Sequence, residues 1–214
     1  MAEAPRLVAA TDARQLARPD FAVRLDALLA GGCPAVWIRS GGLGGRDLLS
    51  LARAVRTACD RWGAELWIGD RADVAALAGA DAVQLPERGL SIAGARRVAG
   101  SALAVGRSVH SVDAAVAAAR EGADRIVAGT IFASASHPGR GPAGPGLLRE
   151  IRAALEDGSA RTTLYAIGGV DPNRVESAIR AGADGVAAIG ALWDSDDPAA
   201  AARALLDALR RALG

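Results

Sequence analysis

Eight short apolar segments, separated by stretches with helical spacing, run through the whole chain and constrain its fold more than any other feature. They are Arg6–Thr11, Ala35–Ser40, Glu65–Asp70, Asp81–Leu85, Leu103–Val109, Arg125–Ile131, Leu164–Gly169 and Gly185–Ala191. Most are apolar at nearly every position instead of alternating, which is how strands of a covered parallel sheet read. The stretches between them carry helix punctuation. Asp171-Pro172 and Asp197-Pro198 read as an N-cap followed by a first-turn proline, and Ser111 opens a helix that Gly122 stops. The phrase Gly-Ala-Asp recurs at Gly79, Gly122 and Gly182, each time leading into a strand. Eight βα units in 214 residues fit a closed (β/α)8 TIM barrel better than an open doubly wound sheet. No linker or composition shift divides the chain, so one barrel domain over residues 1–214 is expected.

In a barrel of this kind chemistry sits at the C-terminal ends of the strands, and that rule selects the candidate residues. Strand 1 ends at Thr11-Asp12, strand 2 at Arg39, strand 3 at Asp70, strand 4 at Gln84, and strand 5 at Ser108 and His110. Strand 6 runs into the stretch "GTIFASASHPGRGPAGPG", Gly129 to Gly146. There Thr130, Ser134 and Ser136 are placed for substrate contact, His137 for proton transfer, and the Pro/Gly-rich remainder for a lid. Strands 7 and 8 end in Gly168-Gly169 and Gly190-Ala191. Glycines there let backbone N–H groups approach a phosphate, and phosphate sites in this fold are frequently built from these two loops.

Each candidate has a structural alternative. Arg39 could clamp a phosphate or pyrophosphate with its guanidinium fork, or pair with Asp12 or Asp70. Asp70 could hold a metal or polarise a ring nitrogen, or pair with Arg71. His110 and His137 suit proton transfer near neutral pH, and hydrogen bonding at a strand end is the plainer role for His110. Trp62 and Trp67 read as packing residues, Trp37 as packing or a ring-stacking wall, and Trp193 as a ligand cover.

Composition excludes several classes of partner. Hydrophobic residues make up 51% of the chain and the formal net charge is +1, so there is no field for nucleic acid. No run of 18 apolar residues or N-terminal signal pattern is present, which predicts a cytoplasmic protein without a membrane partner. Cys33 and Cys59 form neither a disulfide framework nor a metal spacing. All 25 basic residues are arginine, so Schiff-base lysine chemistry is excluded within the chain.

In order and spacing, "TDA", "GDRADVAALAGADAVQL", "AVGRSVHS", "GADRIVAGTIFASASHPG", "LYAIGGV" and "AGADGVAAIGAL" resemble the thiamin phosphate synthase and TenI superfamily over nearly the whole chain. The resemblance implies a compact barrel that binds a phosphorylated thiazole. In the synthase branch it also implies Mg²⁺ and a pyrimidine pyrophosphate. Dimers are common in this superfamily, although no exposed apolar stripe in the sequence marks a homodimer interface.

The departures bear on the branch. Where the synthase pattern reads Gln-x-Arg-x-Lys the chain has Trp37, Arg39 and Gly41. Its Asn-Asp-Arg is Gly69, Asp70 and Arg71 here, and its metal-binding Asp after strand 4 is Gly89. Its Thr-x-Thr-Lys is Ser134, Ser136 and His137. The tautomerase branch carries a histidine where this chain has Thr130.

The leading expectation is therefore a TenI-like barrel that binds a thiazole phosphate and isomerises thiazole carboxylate phosphate by proton transfer, with His137 and then His110 as acid/base. That reading needs no metal and no cofactor. The alternatives are a divergent thiamin phosphate synthase, with Mg²⁺ on Asp70, and a non-catalytic or regulatory thiazole-phosphate-binding protein.

Overall fold

The computed structural model describes residues 4–39, 42–134, 141–156 and 162–214. Every apolar segment overlaps a strand: β1 (Leu7–Ala10), β2 (Ala35–Ile38), β3 (Glu65–Gly69), β4 (Ala82–Leu85), β5 (Ala104–Val109), β6 (Arg125–Ala128), β7 (Thr163–Ile167, beginning one residue before its segment) and β8 (Gly185–Ala188). All pair in parallel in sequence order and β8 returns to β1, closing the barrel. Ala9 marks the closure, with Val36 of β2 on one side and Ala188 of β8 on the other.

The helices are α1 (Ala13–Leu16), α2 (Phe21–Ala30), α3 (Gly45–Trp62), α4 (Ala72–Leu77), α5 (Ile92–Ala99), α6 (Val112–Arg120), α7 (Gly144–Glu156), α8 (Val175–Arg180), α9 (Gly190–Trp193) and α10 (Pro198–Leu213). None is long and apolar enough to cross a membrane among the described residues.

The continuous apolarity of the strands has a direct cause. Side chains alternate across a strand, and here both sides are buried. Leu7, Val36, Ile38, Leu66, Ile68 and Val186 face the helices. Val8, Ala10, Trp37, Trp67, Val127, Tyr165 and Ala187 fill the barrel interior.

The N-terminal end of the interior is plugged. Arg125 pairs with Glu65 at 2.8 Å and lies 4.4 Å from the Trp67 ring centre, and Trp67 Nε1 donates to Glu65 at 2.7 Å. Tyr165 meets Trp67 edge-on and donates its hydroxyl to the Pro5 carbonyl at 2.8 Å. Among the described residues this leaves the depth of the barrel at the C-terminal ends of the strands.

The Gly-Ala-Asp phrase is a repeated clamp. Gly79, Gly122 and Gly182 have φ of 64°, 86° and 101°, the left-handed region that ends helices. The aspartate two residues on then reaches across the barrel wall. Asp81 accepts from Leu66 N at 2.7 Å, Asp124 from Val105 N at 2.7 Å, and Asp184 from Leu164 N at 2.8 Å. Each is also paired with a helix arginine: Arg56 of α3 at 2.6 Å, Arg96 of α5 at 2.8 Å and Arg152 of α7 at 2.5 Å.

The capping expectations hold at Ser111 and Asp197, whose side chains accept from Ala114 N and Ala200 N. At Asp171 the expectation is corrected. Its Oδ1 accepts from Asn173 N and Arg174 N, making a turn first, and α8 begins only at Val175. Strands 6 and 8 are shorter than expected, ending at Ala128 and Ala188. Beyond β6, Ile131 and Phe132 donate to Ile167 and Gly168 carbonyls, both at 2.9 Å, so the chain leaves the barrel wall across the end of β7.

Candidate active site

A cavity of about 950 Å³ opens at the C-terminal ends of the strands. That volume lies at the upper end for small-molecule sites. Arg39, Asp70, Ser108, His110, Thr130, Ser134, Gly168, Gly169, Gly190 and Ala191 all line it. His137 and Ser136 lie outside the described residues, as does Gly41.

At one side, the ends of β7 and β8 meet. Gly168 and Gly169 have φ of 98° and 62°. Part of their identity is explained by packing. A Cβ on Gly168 would lie 2.5 Å from Thr130 Cγ2, and one on Gly169 would run into the Phe132 and Ala133 carbonyls. What remains for a ligand is the backbone. Among the described residues no protein acceptor takes the N–H groups of Gly168, Gly169, Gly190 or Ala191. Arg174 braces this loop, donating to the Gly169 carbonyl at 2.6 Å while lying 5.5 Å from the Phe132 ring centre.

One carboxylate stands close by. A Cβ on Gly190 would be 3.2 Å from Asp194 Oδ2. Burial pushes the Asp194 pKa up, but hydrogen bonds from Arg14 at 2.5 Å and Gln15 at 3.1 Å outweigh it and hold the carboxyl below its ordinary value. Asp194 is thus charged but already neutralised by cations, and does not repel an anion as a bare carboxylate would.

Across the barrel mouth, neither structural alternative for the strand 2 and 3 residues is realised. Arg39 makes no ion pair and its guanidinium no hydrogen bond among the described residues; its backbone N–H donates to Thr11 Oγ1 at 3.1 Å. Burial pushes its pKa down, with Asp12 opposing at longer range. Arg71 pairs with Asp73 at 2.6 Å instead of Asp70. Asp70 adopts φ 64°, uncommon for a non-glycine residue, and its carboxylate has no hydrogen bond or ion pair among the described residues. Among the described residues, a guanidinium and a carboxylate without an ion pair thus stand at one cavity wall.

Between these sides, buried Gln84 donates to Ser108 Oγ at 3.2 Å. Gly106 is glycine because the Gln84 amide occupies the place its Cβ would need. His110 Nδ1 lies 2.5 Å from Glu87 Oε2, and both residues line the cavity. Glu87 stands on the β4–α5 loop, which Arg107 fastens from the helix side by donating to the Pro86 and Leu90 carbonyls at 2.8 and 2.9 Å.

Two tryptophan expectations are corrected. Trp193 is fully buried and stacks on Phe21 at 5.2 Å, because the short helix α9 turns it into the helical layer and not over the cavity. Trp62 is 44% exposed, with its indole N–H on Asp26 at 3.0 Å. The candidate list omits Glu87, Arg14, Arg174 and Asp194, which loops and short helices bring to the rim. No apolar period or strand end marks those positions.

The described residues contain no group of three His, Cys, Asp or Glu side chains able to hold a metal. A Cβ on Gly89 would lie 3.6 Å from Asp70 Oδ1, so a carboxylate at residue 89 would stand beside Asp70. Here Asp70 stands alone. One free carboxylate facing a ligand cavity still suits Mg²⁺, which is commonly bound by one or two carboxylates together with substrate phosphates and water.

The chain is similar to known proteins along its length. A family model described as "Thiamine monophosphate synthase" matches residues 7–192. The thiamine-phosphate synthase of Arthrobacter sp. (strain FB24) is 38% identical, with 95% of this chain and 94% of that protein covered. The enzyme of that name from Methanoculleus marisnigri is 44% identical over 86% of this chain and 85% of its own. Among solved structures, thiamine phosphate pyrophosphorylase from Pyrococcus furiosus superposes with a TM-score of 0.85 at 28% identity, covering 98% of this chain and 97% of its own. The two sequence relatives carry the synthase name and the solved structure that of a pyrophosphorylase, and none of the three points to the tautomerase branch. The chain belongs to the thiamine monophosphate synthase family.

Proposed function

We propose that the protein is a transferase of the thiamine-phosphate synthase type, joining a pyrimidine diphosphate to a thiazole phosphate with release of diphosphate. This replaces the TenI-like isomerase expected from the departures in the sequence, because the relatives carry the synthase name. One observation supports the reading beyond the family name: a single cavity brings together two separate sets of groups suited to anions. Unsatisfied N–H groups at the ends of β7 and β8 suit the thiazole phosphate. Just past β2 and β3, the Arg39 guanidinium and, through a bound Mg²⁺, the Asp70 carboxylate suit the diphosphate; neither is hydrogen-bonded or ion-paired among the described residues.

In this reading the chain's own residues mainly bind and orient. Holding two ligands in one cavity converts their encounter into an effectively unimolecular step. Arg39 meets the charge that grows on the departing diphosphate. Ser108, held by Gln84, and Thr130 line the space between the two ligands. Asp70 would hold Mg²⁺, which would supply further positive charge at the leaving group.

Isothermal titration calorimetry with the two ligands tests this reading. Thiazole phosphate should bind without metal, and pyrimidine diphosphate should bind more tightly with Mg²⁺ than without it. Binding of thiazole phosphate alone under all conditions would leave the non-catalytic reading instead.

One observation favours a second reading. The His110–Glu87 pair, 2.5 Å apart at the cavity rim, is the arrangement of an oriented acid/base imidazole. If thiazole carboxylate phosphate is isomerised, His110→Ala should slow that reaction at least about 100-fold. An unchanged rate removes His110 from it.

A further inference from the structure

Trp37 occupies a position on the barrel wall that packing alone explains poorly. It sits on β2, is 5% exposed and lines the cavity. Its Nε1 is buried and finds no acceptor among the described residues. Trp67 and Trp62 donate to Glu65 and Asp26, whereas the buried Trp193 Nε1, packed in the helical layer away from the cavity, shares the lack of an acceptor among the described residues. A buried donor left unpaired is destabilising, so the ring's placement has to be offset by other interactions.

Two neighbours supply them. The Arg39 guanidinium carbon lies 5.7 Å from the Trp37 ring centre, within cation–π range. On the next strand stands Gly69, where a Cβ would lie 3.3 Å from both Trp37 Nε1 and Arg39 Cα. Contacts that tight force a neighbour to give way, and two of the atoms concerned belong to the Trp37–Arg39 pair. The three residues therefore form one unit: Gly69 leaves room, Trp37 fills it, and Arg39 rests on Trp37.

We propose that Trp37 is a positioning residue of the anion subsite, holding the Arg39 guanidinium by its indole face in place of a carboxylate, so that Arg39 presents its charge and donors to a diphosphate-type phosphoryl anion. An arginine held by a carboxylate has donors occupied and its charge offset; one held by an aromatic ring keeps both. The proposal rests on the reading of Arg39 as a diphosphate group.

The experiment is calorimetry on the full chain with inorganic pyrophosphate and, separately, thiazole phosphate. It compares wild type with Arg39→Gln, Trp37→Leu, Trp37→Phe and Gly69→Ala, with thermal unfolding as a check on folding. Arg39→Gln should weaken pyrophosphate at least about 10-fold. Trp37→Leu should weaken it about 3- to 30-fold, the size of a cation–π contact, and leave thiazole phosphate unchanged. Trp37→Phe, which keeps a ring, should stay within about 3-fold of wild type.

The outcomes separate the two claims. Equal pyrophosphate affinity in wild type and Arg39→Gln, or no pyrophosphate binding by wild type, overturns the diphosphate reading of Arg39 and the proposal with it. If Arg39→Gln loses pyrophosphate while Trp37→Leu does not, only the positioning role falls. Equal loss of both ligands in Trp37→Leu also contradicts it, since that marks general damage to the barrel. Should Trp37→Leu fail to fold, Gly69→Ala decides: selective loss of pyrophosphate supports the unit, and unchanged pyrophosphate affinity contradicts it.

Discussion

The site depends on a few residues whose conformation or solvation is unfavourable without a ligand. Asp70 at φ 64°, the Arg39 guanidinium with no hydrogen bond or ion pair among the described residues, and the Trp37 indole N–H with no acceptor among them all belong to residues lining one cavity. Gly168 belongs to this set for a steric reason. With φ 98° and Thr130 Cγ2 at 2.5 Å from a built Cβ, Gly168→Ala meets both backbone strain and a clash. We expect a loss of about 2 kcal/mol or more and a Tm lower by about 4 °C or more, measured by calorimetric unfolding. An unchanged Tm would show that the β6 and β7 loops do not pack as described. The two cysteines behave differently. Burial pushes the thiol of Cys33 up to about 11 and that of Cys59 up to about 12, so a thiol reagent at pH 8 should label neither in the folded protein.

Elements with repeated chemistry were the most legible in the sequence. The eight apolar segments and the recurring Gly-Ala-Asp phrase foretell the barrel, because burial on both sides of a strand and a left-handed helix stop each leave a mark on nearby residues. The partners of the repeated aspartates leave no such mark. Arg56, Arg96 and Arg152 precede Asp81, Asp124 and Asp184 by 25, 28 and 32 positions, too variable to read as a pattern. The site divides in the same way. Arg39, Asp70, Ser108 and the four phosphate-side positions are strand ends, so their arrival at the cavity follows from the barrel rule. Glu87 and Asp194 arrive through a loop and a short helix whose paths the sequence does not specify. The clamp itself is testable: Asp124→Ala removes a charge-assisted bond to Val105 N and the Arg96 pair, and should cost about 1–3 kcal/mol in denaturant unfolding. A cost near zero would reduce the repeated aspartate to a turn residue. Arg107→Ala should act locally, freeing the Pro86 and Leu90 carbonyls. Hydrogen exchange should then rise in residues 86–90 before it rises in β4.

At the scale of the molecule, charge balance sets the response to acid. Asp20, hydrogen-bonded to Arg18 and Arg24, is held well below its ordinary 3.8. Asp73, hydrogen-bonded to Arg71, is also lowered, as is Asp194 despite its burial. A carboxyl whose folded pKa lies below its unfolded value contributes stability that is present above the unfolded value and lost as pH falls through the folded one. Unfolding free energy should therefore be nearly flat from pH 7 to 5 and decline below about pH 4, and a maximum below pH 4 would contradict these assignments. The plugged N-terminal end and the open C-terminal end leave the Arg39 guanidinium, the Asp70 carboxylate and the strand 7 and 8 backbone N–H groups facing one cavity of about 950 Å³, room for two ligands held together. The central claim is that this cavity joins them. The most direct measurement incubates the purified protein with pyrimidine diphosphate, thiazole phosphate and Mg²⁺ and follows thiamin phosphate by chromatography. We expect thiamin phosphate and diphosphate to form in equal amounts, at a rate at least about 10-fold lower in Arg39→Gln. Binding of both ligands without any thiamin phosphate would contradict the account.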